Sequence, residues 1–167
     1  MLKVVIAMTA VTAFSTASAD IARHQMQPKA MPMLESVQVP ADAQMLYLSG
    51  MLAAPIDPAK AGQMHLPVEE YGDTKTQTLS ILTQLRRILQ SRGYEMSDVI
   101  KLTVFLAGDS KLGGKMDTAG MTAAYKMFFG SAENPNTVVR STVQVAALAA
   151  PGFLVEIEAT AAKMPKR

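Results

Sequence analysis

A single arginine, Arg140, stands within a stretch of β-branched residues, NTVVRSTVQV at 136–145. Valine and threonine are typical of a half-buried β-strand, in which an isolated guanidinium is unusual. Strand alternation places Arg140, Thr142 and Gln144 on one face of this strand. An arginine on such a face could bind a small carboxylate through two parallel hydrogen bonds.

A second predicted strand, at about 153–161, carries two acidic side chains. Glu156, Glu158 and Thr160 share one of its faces. A glutamate beside a bound substrate can transfer protons as a general acid or base. Alternatively, the polar faces of both strands meet water, or Arg140 pairs with a glutamate across the sheet. The spacing of the residues does not decide between these interpretations.

Two stretches of apolar residues at helical spacing predict the helices that lie between the strands. The first helix runs from about residue 73 to residue 92, with Asp73 able to cap its start and Gly93 beyond its end. The second helix is predicted from one apolar face, formed by Met121, Ala124, Tyr125, Phe128 and Phe129.

The order of the predicted elements is strands, helix, strand, helix and two strands. The predicted strands lie at 37–39, 45–48, 99–106, 137–145 and 153–161. This order predicts an α+β fold in which both helices cover one face of a single sheet. The other face would expose apolar area in a monomer, so we expect an oligomer.

The first nineteen residues have the features of a secretory signal peptide. Lys3 precedes an apolar run at 4–14, and the small residues at 17–19 predict cleavage before Asp20. The apolar run is too short to span a membrane. We therefore expect a periplasmic or secreted protein that does not associate with the membrane after cleavage.

The remaining chain divides into a flexible arm at 20–35, one domain at 36–163 and a short tail at 164–167. The arm contains His24, Met26, Met31 and Met33, which could bind Cu(I). The simpler interpretation is a flexible tail in a chain that has 13 methionines.

Composition excludes several classes of site. The chain has no cysteine, so disulfides, thiolate nucleophiles and zinc-thiolate sites are impossible. The formal net charge is +2, and the predicted signal peptide holds one of these positive charges. The basic residues form no stripe, so a nucleic acid partner is not expected.

Four stretches of the sequence resemble the RidA family, also known as the YjgF or L-PSP endoribonuclease family. They follow the order of the family and cover most of the chain beyond the signal peptide. The most specific of them combines R-S-x-V-x-V-x-x-L with E-I-E-A. The stretches are LYLSGMLA at 46–53, GYEMSDVIKLTVFLA at 93–107, AAYKMFFG at 123–130, and VVRSTVQVAAL at 138–148 with FLVEIEATA at 153–161.

The resemblance implies a chorismate-mutase-like fold, a homotrimer and three sites in clefts between subunits. It also implies hydrolytic deamination of small 2-imino or enamine acids to 2-keto acids and ammonia, without a metal or organic cofactor. By resemblance, Arg140 binds the substrate carboxylate and Glu156 orients or activates the attacking water. Ser49 and Gly50 match the family's Ser-Gly pair beside the substrate.

The chain departs from the family pattern at three positions. Ser36 stands where a tyrosine is frequent, Thr122 where an asparagine is frequent, and Thr142 where a cysteine is common. Thr122 and Thr142 remain candidate substrate-binding residues, since a threonine hydroxyl can still hydrogen-bond. Two hypotheses follow: an imine deaminase, or a trimer without turnover that binds small carboxylates or acts like a chaperone. A ribonuclease is not expected, because the sequence shows no His pair or basic stripe.

Overall fold

The computed structural model describes residues 20–27 and 32–166. The predicted signal peptide and Met31 lie outside these residues. No helix in the described part of the chain combines the length and apolar character needed to cross a membrane. The strands are β1 (Ala22–Gln25), β2 (Leu34–Gln38), β3 (Gln44–Leu52), β4 (Val99–Ala107), β5 (Val139–Val145) and β6 (Val155–Lys163). The α-helices are α1 (Thr74–Ser91) and α2 (Thr118–Tyr125).

Strands β3, β6, β4 and β5, in that spatial order, form the main sheet. Strands β4 and β5 are parallel, whereas β6 is antiparallel to both of its neighbours. Helices α1 and α2 pack against each other, and both contribute buried side chains to one core with the sheet. The predicted α+β fold with two helices on one sheet face is therefore confirmed.

The two faces of the main sheet differ in what covers them. On the helix-covered face, the side chains of Leu102, Val104 and Leu106 are at most 1% exposed. The opposite face, which we call the open face, carries Tyr47 at 75% exposure and Val143 at 45%. Because large apolar and aromatic side chains are costly to leave in water, the open face is suited to contact with another subunit.

Helix α1 follows its predicted boundaries closely. The carboxylate of Asp73 accepts a hydrogen bond from the N–H of Thr76 at 2.8 Å, so Asp73 caps the helix. Beyond the C-terminus, Gly93 has a φ of 73°, a conformation that glycine adopts without steric cost. The apolar face of α1 is buried at Ile81, Leu82, Leu85 and Leu89, and Ile88 is partly buried.

Helix α2 is shorter than the apolar pattern predicted. It ends at Tyr125, whose carbonyl accepts hydrogen bonds from the N–H groups of both Phe128 and Phe129 at 3.0 Å. Gly130 then turns the chain with a φ of 66°. Phe129 stays buried and stacks on Tyr125, with 4.9 Å between ring centroids. The apolar spacing was therefore a correct guide to burial, although the helix ends before Phe128.

The predicted flexible arm contains regular structure, so that prediction was wrong for its described residues. Strand β1 pairs antiparallel with β2. Leu34 is 2% exposed, and its N–H donates to the Val138 carbonyl at 2.9 Å. The Arg23 guanidinium donates to the carbonyls of Ser97 and Val99 at 2.8 and 3.2 Å. The contacts of Leu34 and Arg23 join residues that are far apart in sequence, so no local pattern predicts them.

Candidate functional site

Arg140 lies on the helix-covered face of the sheet, on the edge strand β5. Its register partner on β4 is Leu102, which is buried beneath the helices. The guanidinium carbon lies 4.5 Å from the centroid of the Tyr125 ring. One terminal nitrogen, Nη1, donates to the thioether sulfur of Met121 at 3.9 Å. Helix α2 therefore supplies both of these contacts with the arginine.

Two polar groups at the Arg140 site have no hydrogen-bond partner among the described residues. None of the described carboxylates forms an ion pair with Arg140. Its Nε and the Thr142 hydroxyl are both buried without a hydrogen-bond partner in the described part of the chain. Burial lowers the pKa of Arg140 from its usual value, yet an arginine remains charged in proteins. The helix-covered face of β5 thus presents a cation with free donor capacity, which suits an anion.

Gln144, the third polar residue on this face, has a structural task. Its side-chain nitrogen donates to the Gly114 carbonyl at 2.8 Å, and its oxygen accepts from the Met116 N–H at 3.0 Å. These bonds fix the loop that leads into α2. The polar row on β5 therefore divides into a loop anchor at Gln144 and unsatisfied groups at Arg140 and Thr142.

Glu156 and Gly50 form the second part of the candidate site. Ser49 and Gly50 lie between the register pairs Leu48–Ala159 and Met51–Ile157, where β3 has one residue more than β6. This irregularity is a β-bulge, a feature often found beside active sites. A methyl group on Gly50 would overlap the Glu156 carboxylate, and would lie 2.8 Å from its carboxyl carbon. Glycine at position 50 therefore makes the room that the carboxylate occupies.

A concave region of about 310 Å³ lies on the open face beside this bulge. Its lining is mostly polar and comes from three adjacent strands. Contributing side chains include Tyr47, Ser49, Lys101, Thr103, Glu158 and Thr160. Glu156 and Glu158 are two residues apart on β6, so both project from this face of the sheet.

The sheet register places Arg140 and Glu156 on opposite faces of the same sheet. Arg140 pairs with Leu102, whereas Glu156 pairs with Phe105, and these two β4 residues have opposite orientations. The alternative of an Arg140–glutamate pair across the sheet is therefore wrong within one chain. The two candidate catalytic residues can meet only if different subunits supply them.

The remaining predicted site residues lie on three separate elements. Thr122 is half-buried on α2, directly after Met121. Ser49 is exposed on β3, and Ser36 is exposed on β2 opposite His24. In the described part of the chain no three His, Cys, Asp or Glu side chains are grouped as metal ligands.

Sequence reasoning missed Tyr125 and Met121 as contacts of Arg140. Both were assigned to the apolar face of α2, and both are indeed at most 2% exposed. Their spacing of four residues already placed them on one helical face. The missing information was tertiary, because only the packing of α2 on β5 brings that face to the arginine.

Comparison with known proteins now identifies the group to which the chain belongs. A sequence profile described as endoribonuclease L-PSP matches residues 28–163. The chain belongs to this family. A RutC family protein from Pyrococcus horikoshii is 36% identical over 118 residues, which cover 71% of this chain and 79% of the relative.

Solved structures of Rid/YjgF family proteins share the fold. The conserved Rid family protein YyfB from Yersinia pestis superposes with a TM-score of 0.60 at 24% identity, covering 83% of this chain and 97% of that one. E. coli TdcF with bound serine gives a TM-score of 0.54 at 30% identity, covering 71% of this chain and 80% of TdcF.

Proposed function

We propose that the protein is an imine deaminase of the Rid type, which hydrolyses small 2-imino or enamine acids to 2-keto acids and ammonia. Arg140 binds the substrate carboxylate, with Thr142 and Thr122 beside it. Glu156, resting on Gly50 and flanked by Ser49, activates the water. The proposed enzyme uses no metal or organic cofactor.

One observation carries this proposal: Arg140 is held by an aromatic ring and a thioether instead of a carboxylate. A structural arginine at such a depth normally pairs with an acid, because an uncompensated buried charge is costly. Here the guanidinium keeps donors for a partner outside the chain, together with the neighbouring Thr142 hydroxyl. A carboxylate bound bidentately satisfies both the charge and the geometry.

The opposite orientations of Arg140 and Glu156 support a site that two subunits share. We propose a homotrimer in which Arg140 of one subunit faces Glu156 of the partner subunit. A closed ring of three copies gives three such sites and covers the open faces of the sheets. Within this family, which includes imine deaminases, TdcF has been crystallised with serine, a small molecule that carries the carboxylate recognised in our proposal.

The reaction needs little beyond positioning and the transfer of two protons from the water to the imine nitrogen. Water adds to the imine carbon, and the π electrons of the C=N bond move to the nitrogen. Glu156 takes a proton from the water and returns it to that nitrogen. Glu156 then carries the hydroxyl proton of the resulting carbinolamine to the same nitrogen, and the C–N bond breaks, which releases ammonia and the 2-keto acid. Because the imine carbon is already electrophilic, fixing the carboxylate end supplies much of the catalysis.

We also propose that the protein acts outside the cytoplasm, as the sequence of its first nineteen residues suggests. Its substrates would then be imines produced by oxidation of amino acids or amines in that compartment. The proposed site defines only one end of the substrate, which is a free carboxylate adjacent to the imine carbon.

The direct test generates imines with an amino-acid oxidase and traps them with semicarbazide, which forms a semicarbazone whose absorbance is followed. The wild-type protein should lower the rate of semicarbazone formation, because it hydrolyses the imine first. Arg140→Ala should abolish this effect, and Arg140→Lys should reduce it at least tenfold, since lysine lacks the planar fork. Gln44→Ala, at the exposed start of β3, is the matched control and should behave as wild type.

Equal rates for wild type and Arg140→Ala across several amino acids would refute the enzymatic function. A titration with pyruvate then tests the second hypothesis, a protein that binds small carboxylates without turnover. Pyruvate binding that depends on Arg140 without any deamination would identify a binding protein, whereas absent binding would refute the carboxylate site itself.

A further inference from the structure

We infer that Tyr125 is a positioning residue for the carboxylate site, with its ring face holding the Arg140 guanidinium in the orientation that receives the substrate. The inference rests on the proposed function and deepens it. It assigns a specific task to a buried side chain that the sequence pattern explains only as core.

Two contacts besides the arginine fix the Tyr125 ring, one at its face and one at its hydroxyl. It is 1% exposed, and it stacks on Phe129 with 4.9 Å between centroids and 24° between planes. Its hydroxyl accepts a hydrogen bond from the Val138 N–H at 3.4 Å. Val138 lies two residues before Arg140, so one aromatic side chain contacts both the backbone and the functional group of this segment. The ring therefore fixes the guanidinium relative to its own strand.

A ring face supports a guanidinium in a way that a carboxylate does not. A cation above the face of a tyrosine is attracted by the ring quadrupole, and this attraction grows when water is excluded. The N–H groups of the arginine point outward in the guanidinium plane, so the ring does not use them. Burial also raises the pKa of Tyr125 above its usual value, which keeps the phenol neutral at physiological pH. Arg140 thus keeps its full charge for the substrate.

Met121 completes this support from the same helix. Its thioether accepts one N–H of Arg140 at 3.9 Å, and a thioether is a weak acceptor without charge. The arginine is consequently restrained by two neutral groups on α2, while its Nε has no partner among the described residues. Carboxylate binding completes the hydrogen bonding of the group instead of displacing an existing ion pair.

The test compares Tyr125→Leu, Tyr125→Phe and the control Phe129→Leu in the full-length protein. Phe129 has the same 1% exposure and belongs to the same aromatic stack, so Phe129→Leu should cause a similar loss of packing. Tyr125→Leu should raise the Kd for pyruvate and the KM for imine about tenfold, with kcat changed less. Tyr125→Phe keeps the ring face and should stay within about threefold of wild type. Pyruvamide, which lacks the charge, should bind each variant equally.

A further variant separates the electrostatic effect of the ring from any effect on folding. Replacing Tyr125 with a fluorinated phenylalanine withdraws electron density from the ring face with little change in shape, and should also weaken pyruvate binding. Equal pyruvate affinities for this variant, Tyr125→Phe and Phe129→Leu would overturn the inference. If Arg140→Ala leaves pyruvate binding unchanged, the proposed function itself fails, and that result is distinct from a failure confined to Tyr125.

Discussion

Two buried donors on β5, the Arg140 Nε and the Thr142 hydroxyl, are the clearest chemical feature of this chain. Native proteins leave few buried polar groups without a partner, because desolvation without a hydrogen bond costs about 1–3 kcal/mol. Two such groups on adjacent positions of one strand face are the basis of the proposed carboxylate site. In the proposed site, the free protein carries this cost and recovers it when the carboxylate binds.

This explanation predicts opposite effects of Thr142→Val on stability and on function. Valine has nearly the same shape and removes the unsatisfied hydroxyl, so the free energy of unfolding should rise by about 1 kcal/mol in urea denaturation. Pyruvate binding and deamination should become weaker. Thr137→Val is the matched control, because the Thr137 hydroxyl is also buried without a partner among the described residues. It should stabilise the protein while leaving pyruvate affinity unchanged.

A loss of stability in Thr142→Val, with unchanged pyruvate affinity, would contradict this account of the hydroxyl. It would mean that the group already has a structural partner in the assembled protein.

At the scale of elements, α1 provides a rigid side of the core, and its start depends on a charged cap. The Thr76 backbone N–H donates to Asp73, and this hydrogen bond lowers the pKa of that carboxyl below its usual value. The folded state therefore prefers the carboxylate more strongly than the unfolded chain does. The resulting stability is present above the unfolded pKa of about 3.9 and is lost as the pH falls through the lower folded pKa.

Asp73→Ala should accordingly lower the free energy of unfolding by about 1 kcal/mol at pH 7. The difference from wild type should shrink as the pH falls from about 4, where the carboxyl of the unfolded chain takes up a proton, toward the lower pKa of the folded cap. Asp73→Asn keeps a neutral cap, so it should cost less at pH 7 and show little acid dependence. Urea denaturation at fixed protein concentration measures all three. A difference between Asp73→Ala and wild type that grows in acid would have the wrong sign for this mechanism.

Elements whose signals are local could be predicted from the sequence. The cap at Asp73, the apolar face of α1 and the turn at Gly93 all lie within one stretch of chain. The strand that carries Arg140, and the alternation of its side chains between two faces, could also be predicted. Which face of β5 meets the helices could not, because that depends on the register with β4. The pairing of β1 with β2 was missed because this stretch is polar, is interrupted by Pro28 and Pro32, and shows no sustained strand alternation.

The candidate site shows the same division between local and tertiary information. Resemblance to a known family pointed to Arg140, Glu156 and the Ser-Gly pair by motif. The sequence did not reveal that Gly50 makes space for the Glu156 carboxylate, or that Tyr125 lies beneath the guanidinium. Both facts need distances between strands or layers that are remote in sequence.

At the scale of the whole molecule, the residues of the proposed site form two half-sites on opposite faces of one sheet. Arg140 and Thr142 face the helices, and Glu156 and Gly50 lie toward the open face. An open face with an exposed Tyr47 and Val143 is also a surface that a further subunit can cover. The proposed homotrimer explains both features with one arrangement, since each contact between subunits joins two unlike half-sites.

The most direct test of this central claim is complementation between two inactive variants. Chains with Arg140→Ala and Glu156→Gln, carrying different tags, are co-expressed, and mixed assemblies are isolated by both tags. Each mixed trimer contains one intact site, so deamination should return to about a third of the wild-type rate per trimer. The parent variants, purified alone, should remain inactive. Mixed trimers as inactive as their parents would contradict a site built from Arg140 of one subunit and Glu156 of the next.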